Sequence, residues 1–318
     1  MKICPLRKIT FRRSRPNRKM HRRILIVDGH CYAYRAFFAI GRLVSPDGRA
    51  TNALYGFIRM LAKAQARVAP SHLVVVWDGG LAPERMTLLP QYKAHRPEMP
   101  GDLETQINEI VRYLEAAGIP SYIKDGCEAD DCIACLARRA VQNGCPVVIA
   151  SSDKDFMQLV GPQVQLLSPQ DKEQSLWDAQ QVVRKTGVQP GQIVDWLSLI
   201  GDSVDNIPGV PGVGPKTASQ LLKQFGSVAG LYQHLDQVAS QRLRAHLAAA
   251  SDLVRNNQQV VLLKEDVSGE LPLESMVPKP ADRQRLRQLY SGWGFKRLLA
   301  ELDQGELTRN LDLQQCFC

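Results

Sequence analysis

The sequence predicts an α/β fold on a parallel sheet, followed by a region of short helices. Three apolar, β-branched runs, at 24–28, 73–78 and 147–153, each end in an acid. Unbroken apolar runs separated by helical stretches belong to strands covered on both faces, the setting of a parallel sheet. From about residue 189 the pattern changes to short helices and glycine-rich turns.

Taken in order, residues 1–19 hold eight basic residues and no acid. Three readings fit this leader: a targeting peptide, a disordered nucleic-acid arm, or an upstream extension before a start at Met20. The last is preferred, because the first strand begins at Arg23 and leaves no linker for a separate domain. The leader accounts for the whole net charge of +8, so the high pI is weak evidence for a nucleic-acid partner. Helices are expected at 54–66, 103–117 and 130–142, where apolar residues recur near every 3.6 positions. Further helices follow, including the stretch 241–257. The expected division is a catalytic α/β domain at 20–188, a helical region at 189–302 and a tail at 303–318.

Composition excludes some classes. At 318 residues and 44% hydrophobic, the chain can bury a core without staples. No run approaches the ~20 apolar residues of a membrane span, and the first apolar run is too short for a signal peptide. A soluble cytoplasmic protein without a membrane partner is therefore expected. Cys127, Cys132, Cys135 and Cys145 lack the paired spacing of a zinc knuckle and read as reduced core residues.

Asp28, Asp78 and Asp153 lie at strand carboxyl ends, where ligands bind in open α/β sheets. A single such Asp is often a helix cap, but Asp155 follows closely and two further motifs add acids. Glu128-Ala-Asp130-Asp131 opens a helix, and Asp202-Ser-Val-Asp205 precedes a glycine-rich turn. Nine carboxylates in one cleft would repel one another unless cations neutralised them. All-oxygen donors select Mg²⁺ or Mn²⁺, and a pair of such ions is suited to phosphodiester hydrolysis. Asp131 and Asp202 are also open to a structural role as helix caps or ion-pair partners.

Cationic residues stand beside these acids. Arg85 and Gln91-Tyr92-Lys93-Ala-His-Arg96 fall between the second strand and the next helix, and Arg35 lies on the helix after Asp28. Lys93 and Arg96 are expected on the scissile phosphate, and Tyr92 on a base. The turn 209–214, with Gly209, Gly212 and Gly214, then Lys216 and Thr217, offers backbone amides and a helix N-terminus to a duplex phosphate. It resembles the turn of helix-hairpin-helix elements.

Together these motifs resemble the 5′ nuclease module of bacterial DNA polymerase I, within the wider flap endonuclease family. The resemblance covers residues 23–302. It implies a PIN-like core with a helical arch and a helix-hairpin-helix region. By that resemblance Asp28, Asp78, Glu128 and Asp130 hold a first metal, and Asp153, Asp155 and Asp205 a second, with Asp130 near both. Asp131 and Asp202 act through waters, Lys93 and Arg96 contact the reacting phosphate, and K⁺ sits at the hairpin turn. The implied partners are DNA with 5′ flaps, nicks or 5′ ends and RNA-primed strands. Primer removal and repair are the implied roles, for a monomer at the nucleoid beside a separate polymerase, since the chain ends where polymerase portions would begin. Two departures touch the arch: Gly79-Gly80 replaces a Lys common after the second-strand Asp, and Glu84 replaces an aromatic. A PIN-type ribonuclease would not need the hairpin turn, and a non-catalytic binder of branched DNA would not keep nine acids.

Overall fold

Residues 22–305, apart from 172 and 268–270, are described by the computed structural model; the leader 1–19, Met20 and 306–318 of the expected tail lie outside the described residues. The sheet is formed by β1 (Ile24–Asp28), β2 (His72–Trp77), β3 (Ser121–Ile123), β4 (Val147–Ala150), β5 (Val164–Leu167) and β6 (Leu176–Trp177). Its order is β3-β2-β1-β4-β5-β6, parallel from β3 to β5, with β6 antiparallel at the edge. The order runs outward from β1 in both directions, so the chain crosses to opposite sides at the end of β1 and opens a crevice there.

Alternation along the strands feeds two cores. Ile24, Ile26, Val74, Val76, Val147 and Ile149 point to one face, and Leu25, Val27, Leu73, Val75, Val148 and Ala150 to the other. The second face is covered by α1 (Gly29–Ala39) and α2 (Asn52–Val68). A short α3 (Pro83–Leu88) precedes α4 (Gly101–Ala116), which joins α1 and α2 on that face. The first face is covered by α5 (Ala129–Gln142). That core continues through α6 (Ala179–Thr186), α7 (Ile193–Ile200), α8 (Pro215–Phe225), α9 (Val228–Gln233), α10 (Gln241–Ala249) and α11 (Ser251–Val261). The last helices, α12 (Arg283–Gly292) and α13 (Lys296–Asp303), return to the α2 and α4 side through Leu286, Tyr290, Trp293 and Leu298. Hydrogen bonds from Lys279 N–H to Gly118 O and from Asp282 N–H to Ala116 O, both 2.8 Å, anchor that return. Among the described residues, no helix is long and apolar enough to cross a membrane.

Two features depart from the sequence reading. Strands β3, β5 and β6 are short or polar enough to leave no clear apolar run. The stretch 241–257 is two helices, because the chain leaves helical geometry at Ala250 and the Tyr232 hydroxyl donates to Leu247 O at 3.0 Å at that break.

Candidate active site

Every strand that ends at the crevice delivers an acid to it. Asp28 ends β1 and caps α1, accepting from Cys31 N–H at 2.9 Å through one oxygen and from the Ser151 hydroxyl at 2.8 Å through the other. Asp78 follows β2 and accepts from Ala129 N–H at 2.8 Å, joining the second strand to the start of α5. After β4 the chain tightens: Asp153 N–H donates to Ser151 Oγ, and Asp155 N–H to Asp153 Oδ1 at 2.9 Å. Asp202 and Asp205 face the same crevice from the loop after α7, which an Asp202–Ile207 bridge closes.

Apart from Asp78, the acids fall into two groups. Glu128, Asp131, Asp202 and Asp205 have cationic partners. Glu128 is 1% exposed and takes hydrogen bonds from Lys93 Nζ, from the Tyr92 hydroxyl at 3.0 Å and from Ala82 N–H at 3.1 Å. Burial pushes its carboxyl up, but Lys93 and Arg85 outweigh that and hold it below the usual range. Arg96 pairs with Asp205 at 2.5 Å, and Lys154 with Asp202 at 3.1 Å. Burial lowers the Lys93 ammonium, and Asp130, Glu128 and Asp205 together reverse the sign, so it stays charged.

Among the described residues, Asp28, Asp130, Asp153 and Asp155 have no such partner in contact. Burial, with repulsion from Asp153 and Asp78, pushes Asp28 up to about 7. Asp130 and Asp155 are raised well above the carboxylate range by burial and by Asp153, and Asp153 itself is raised by burial and by Asp205 and Asp202. One Asp155 oxygen is buried with no hydrogen-bond partner. Among the described residues, no three His, Cys, Asp or Glu side chains already stand in ligating geometry. The donor chemistry nevertheless fits hard divalent cations: an orphaned buried carboxylate oxygen beside three more acids held high by burial and by mutual repulsion lacks positive charge, and oxygen-only donors favour Mg²⁺ or Mn²⁺.

Three residues sit differently from their expected places. Arg85, expected on DNA, is 3% exposed. It forks onto Asp131 at 2.9 and 2.7 Å, approaches Glu128 at 3.2 Å and donates to Val260 O and Leu262 O. Its donors are committed inside the protein. Asp131, expected among the metal acids, is turned to Arg85 and to Lys264 N–H at 2.9 Å. Tyr92, expected to stack on a base, is 4% exposed with its hydroxyl on Glu128. Arg35, Gly209, Gly212, Gly214, Lys216 and Thr217 all reach or approach the surface. The expected arch segment folds down on the crevice through Lys93 N–H to Asp205 O at 2.9 Å and Asn206 Nδ2 to Gln91 O at 2.7 Å.

Both departures from the family pattern have local causes. A Cβ at Gly79 would come 1.8 Å from Lys124 O, because Gly79 pairs closely with the loop at 124–127 through Cys127 O and Gly126 N–H. Glu84 pairs with Lys264 at 3.0 Å. Sequence reasoning passed over Lys154, Ser151 and His30 as individual residues. Lys154 had a signal, since it lies between two strand-end acids. His30 accepts Asp78 N–H on Nδ1 at 3.2 Å and meets Trp77 edge-on; burial lowers its pKa, which keeps the ring neutral.

Acids gathered at a strand switch point, with cations at their rim, define a site for divalent-metal chemistry on phosphate. The chain belongs to the 5′-3′ exonuclease family: the N-terminal resolvase-like domain matches residues 23–187 and the C-terminal SAM fold residues 188–284. The 5′-3′ exonuclease of Aquifex aeolicus is 38% identical over 281 residues, covering 88% of this chain and 95% of that one. DNA polymerase I of Geobacillus stearothermophilus is 38% identical over 293 residues, covering 90% of this chain but 33% of the polymerase. The chain thus spans about a third of its polymerase relatives. A structure of divalent metal ions (zinc) bound to T5 5′-exonuclease superposes with a TM-score of 0.63 at 20% identity, covering 91% of this chain and 100% of that one. The catalytic core of Rad2 in complex with DNA substrate gives 0.61 at 17% identity, covering 88% and 89%. These likenesses agree with the resolvase-like, PIN-type sheet followed by a helical SAM-like region. The chain is a nuclease of the hydrolase class.

Proposed function

We propose that the chain removes nucleotides from 5′ ends and cuts 5′ flaps at their junction with duplex, using two divalent metals held in the β1–β4 crevice. The observation that carries this reading is the group of four acids without cationic partners, with its orphaned Asp155 oxygen, beside Lys93 and Arg96. Asp28, Asp78, Glu128 and Asp130 hold one Mg²⁺ or Mn²⁺, and Asp153, Asp155 and Asp205 the other, with Asp202 acting through water. Bound there, the metals supply an activated water and neutralise the leaving oxygen. Arg96 on Asp205 is half-exposed where a scissile phosphate enters, while Lys93 is buried on Glu128 and acts from inside the crevice. Arg85, Tyr92 and Asp131 hold Glu128 and the start of α5 in place from behind.

The duplex lies along the turn 209–214 and the start of α8, gripped by backbone amides, Lys216 and Thr217, with Arg35 on α1 as a further phosphate contact. Such contacts give salt-sensitive, sequence-tolerant binding. K⁺ at the turn would be held by backbone carbonyls that keep a free lone pair, as Pro208 O and Pro211 O do beside their hydrogen bonds from Asn257 at 2.7 Å and His246 at 2.9 Å. The enzyme acts as a monomer in primer removal and repair.

Mg²⁺-dependent cleavage of a 5′-labelled flap duplex, run beside a labelled single-stranded RNA and with Asp153→Ala as control, tests the proposal. Cutting near the flap junction that disappears with EDTA and in the variant supports it. Cutting of the RNA alone moves the assignment to a PIN-type ribonuclease, and binding without cutting moves it to a branched-DNA binder.

A further inference from the structure

The turn that faces the proposed duplex is held from behind by a residue outside all the motifs. Val213 N–H donates to Val210 O at 3.0 Å, with Pro211 and Gly212 between them and Gly212 at φ +81°. Proline at the second position, a positive φ at the third and the closing hydrogen bond define a type II turn. The central peptide of such a turn, here Pro211–Gly212, is the one that differs in orientation between type I and type II. His246 on α10 meets that peptide: its Nδ1 lies 2.9 Å from Pro211 O. A carbonyl has no hydrogen to give, so Nδ1 is the donor, and it remains so whether the ring is neutral or charged.

We infer that His246 is a positioning residue for duplex binding, pinning the Pro211–Gly212 peptide so that Gly212 N–H points outward at a backbone phosphate. In a planar trans peptide the C=O and the following N–H point in opposite directions. With Pro211 O fixed on α10, Gly212 N–H is aimed away from the protein. Gly212 is exposed, and among the described residues no acceptor takes its N–H. On the same turn Asn257 bridges Pro208 O at 2.7 Å and Ser198 O at 3.0 Å, and Trp196 Nε1 donates to Pro215 O at 3.1 Å. The turn is therefore shaped by side-chain donors from α7, α10 and α11. The inference rests on the reading that this turn grips duplex.

The test measures binding of a flap duplex by anisotropy in EDTA, with kcat and KM measured separately in Mg²⁺, for wild type, His246→Ala and His246→Asn. The Asn amide offers a donor close to the place of Nδ1. His246→Ala weakens binding and raises KM by about fivefold, the worth of one net hydrogen bond, with kcat unchanged. His246→Asn restores binding to near wild type. Unchanged binding in His246→Ala, or equal weakness in His246→Asn, overturns the inference. Normal flap cutting by His246→Ala with wild-type affinity would remove His246 while leaving the nuclease reading intact. Absence of any duplex binding by the wild type would instead sink the reading of the turn.

Discussion

Asp131 and Asp155 belong to the same acidic crevice and are buried alike, yet their surroundings differ in kind. Asp131 accepts two hydrogen bonds from Arg85 and one from Lys264 N–H. Asp155 keeps a buried oxygen with no donor and faces Asp153, Asp205 and Asp202. The first is an ion pair completed inside the protein, and the second is a charge whose partner comes from outside. Burial and residue type are the same, so within this pair the counter-charge supplied inside the protein is what sets the brace apart from the acid left open to a metal.

Replacing each acid breaks this comparison in opposite directions. Asp155→Asn removes repulsion, so the metal-free protein melts at higher temperature while cleavage falls by about a thousandfold, the scale seen when charge stabilisation of a transition state is lost. Asp131→Ala strands Arg85 in the interior and lowers stability by about 3 kcal/mol, the usual cost of breaking a buried pair. Calorimetric melting with EDTA, paired with flap cleavage in Mg²⁺, separates the two. A destabilised Asp155→Asn would mean that its carboxylate is structural after all.

The cations divide in the same way. Lys93 reaches Glu128 and feels Asp130, so Lys93→Ala lowers kcat by about a hundredfold and leaves flap affinity nearly intact. Lys216 is exposed beside the turn, and Lys216→Ala raises KM by about threefold with kcat unchanged, an effect that fades as salt is added. Equal changes in both constants for both variants would erase the division.

Much of this arrangement was legible from residue pattern because strand ends carry their own signal. Asp28, Asp78 and Asp153 announce themselves as acids that end apolar runs, and the parallel sheet follows from those runs. What stayed hidden is side-chain direction. Arg85 and Tyr92 lie in the same basic segment as Lys93, but only the fold turns Arg85 onto α5 and Tyr92 onto Glu128. Asp130 and Asp131 are neighbours on one helix, and successive helical residues point about 100° apart, so one meets the acids and the other Arg85. Nothing in a linear motif marks the return of α12 and α13 to the far face of the sheet. The donor from His246 to Pro211 spans 35 positions and has no periodic signature.

The smallest expected effect is a pH dependence that again sets the unpaired acids apart. Asp28 is pushed up to about 7 by burial, and Asp130, Asp153 and Asp155 are raised by the same cause together with their neighbours' charge. In the metal-free protein these groups hold protons that the unfolded chain, with ordinary carboxyls near 3.8, has already released. The contribution of Asp28 is therefore full below about pH 4 and is lost as pH rises through about 7, and those of Asp130, Asp153 and Asp155 are lost in the same direction. A divalent ion must displace those protons to bind, so binding releases them. Mg²⁺ accordingly raises the melting temperature only slightly at pH 5.5 and most strongly at pH 8. Titration calorimetry in buffers of different ionisation enthalpy reads the released protons directly. Equal thermal gains at both pH values, with no proton release, would show that the four acids are already ionised before metal arrives and that burial does not hold them protonated.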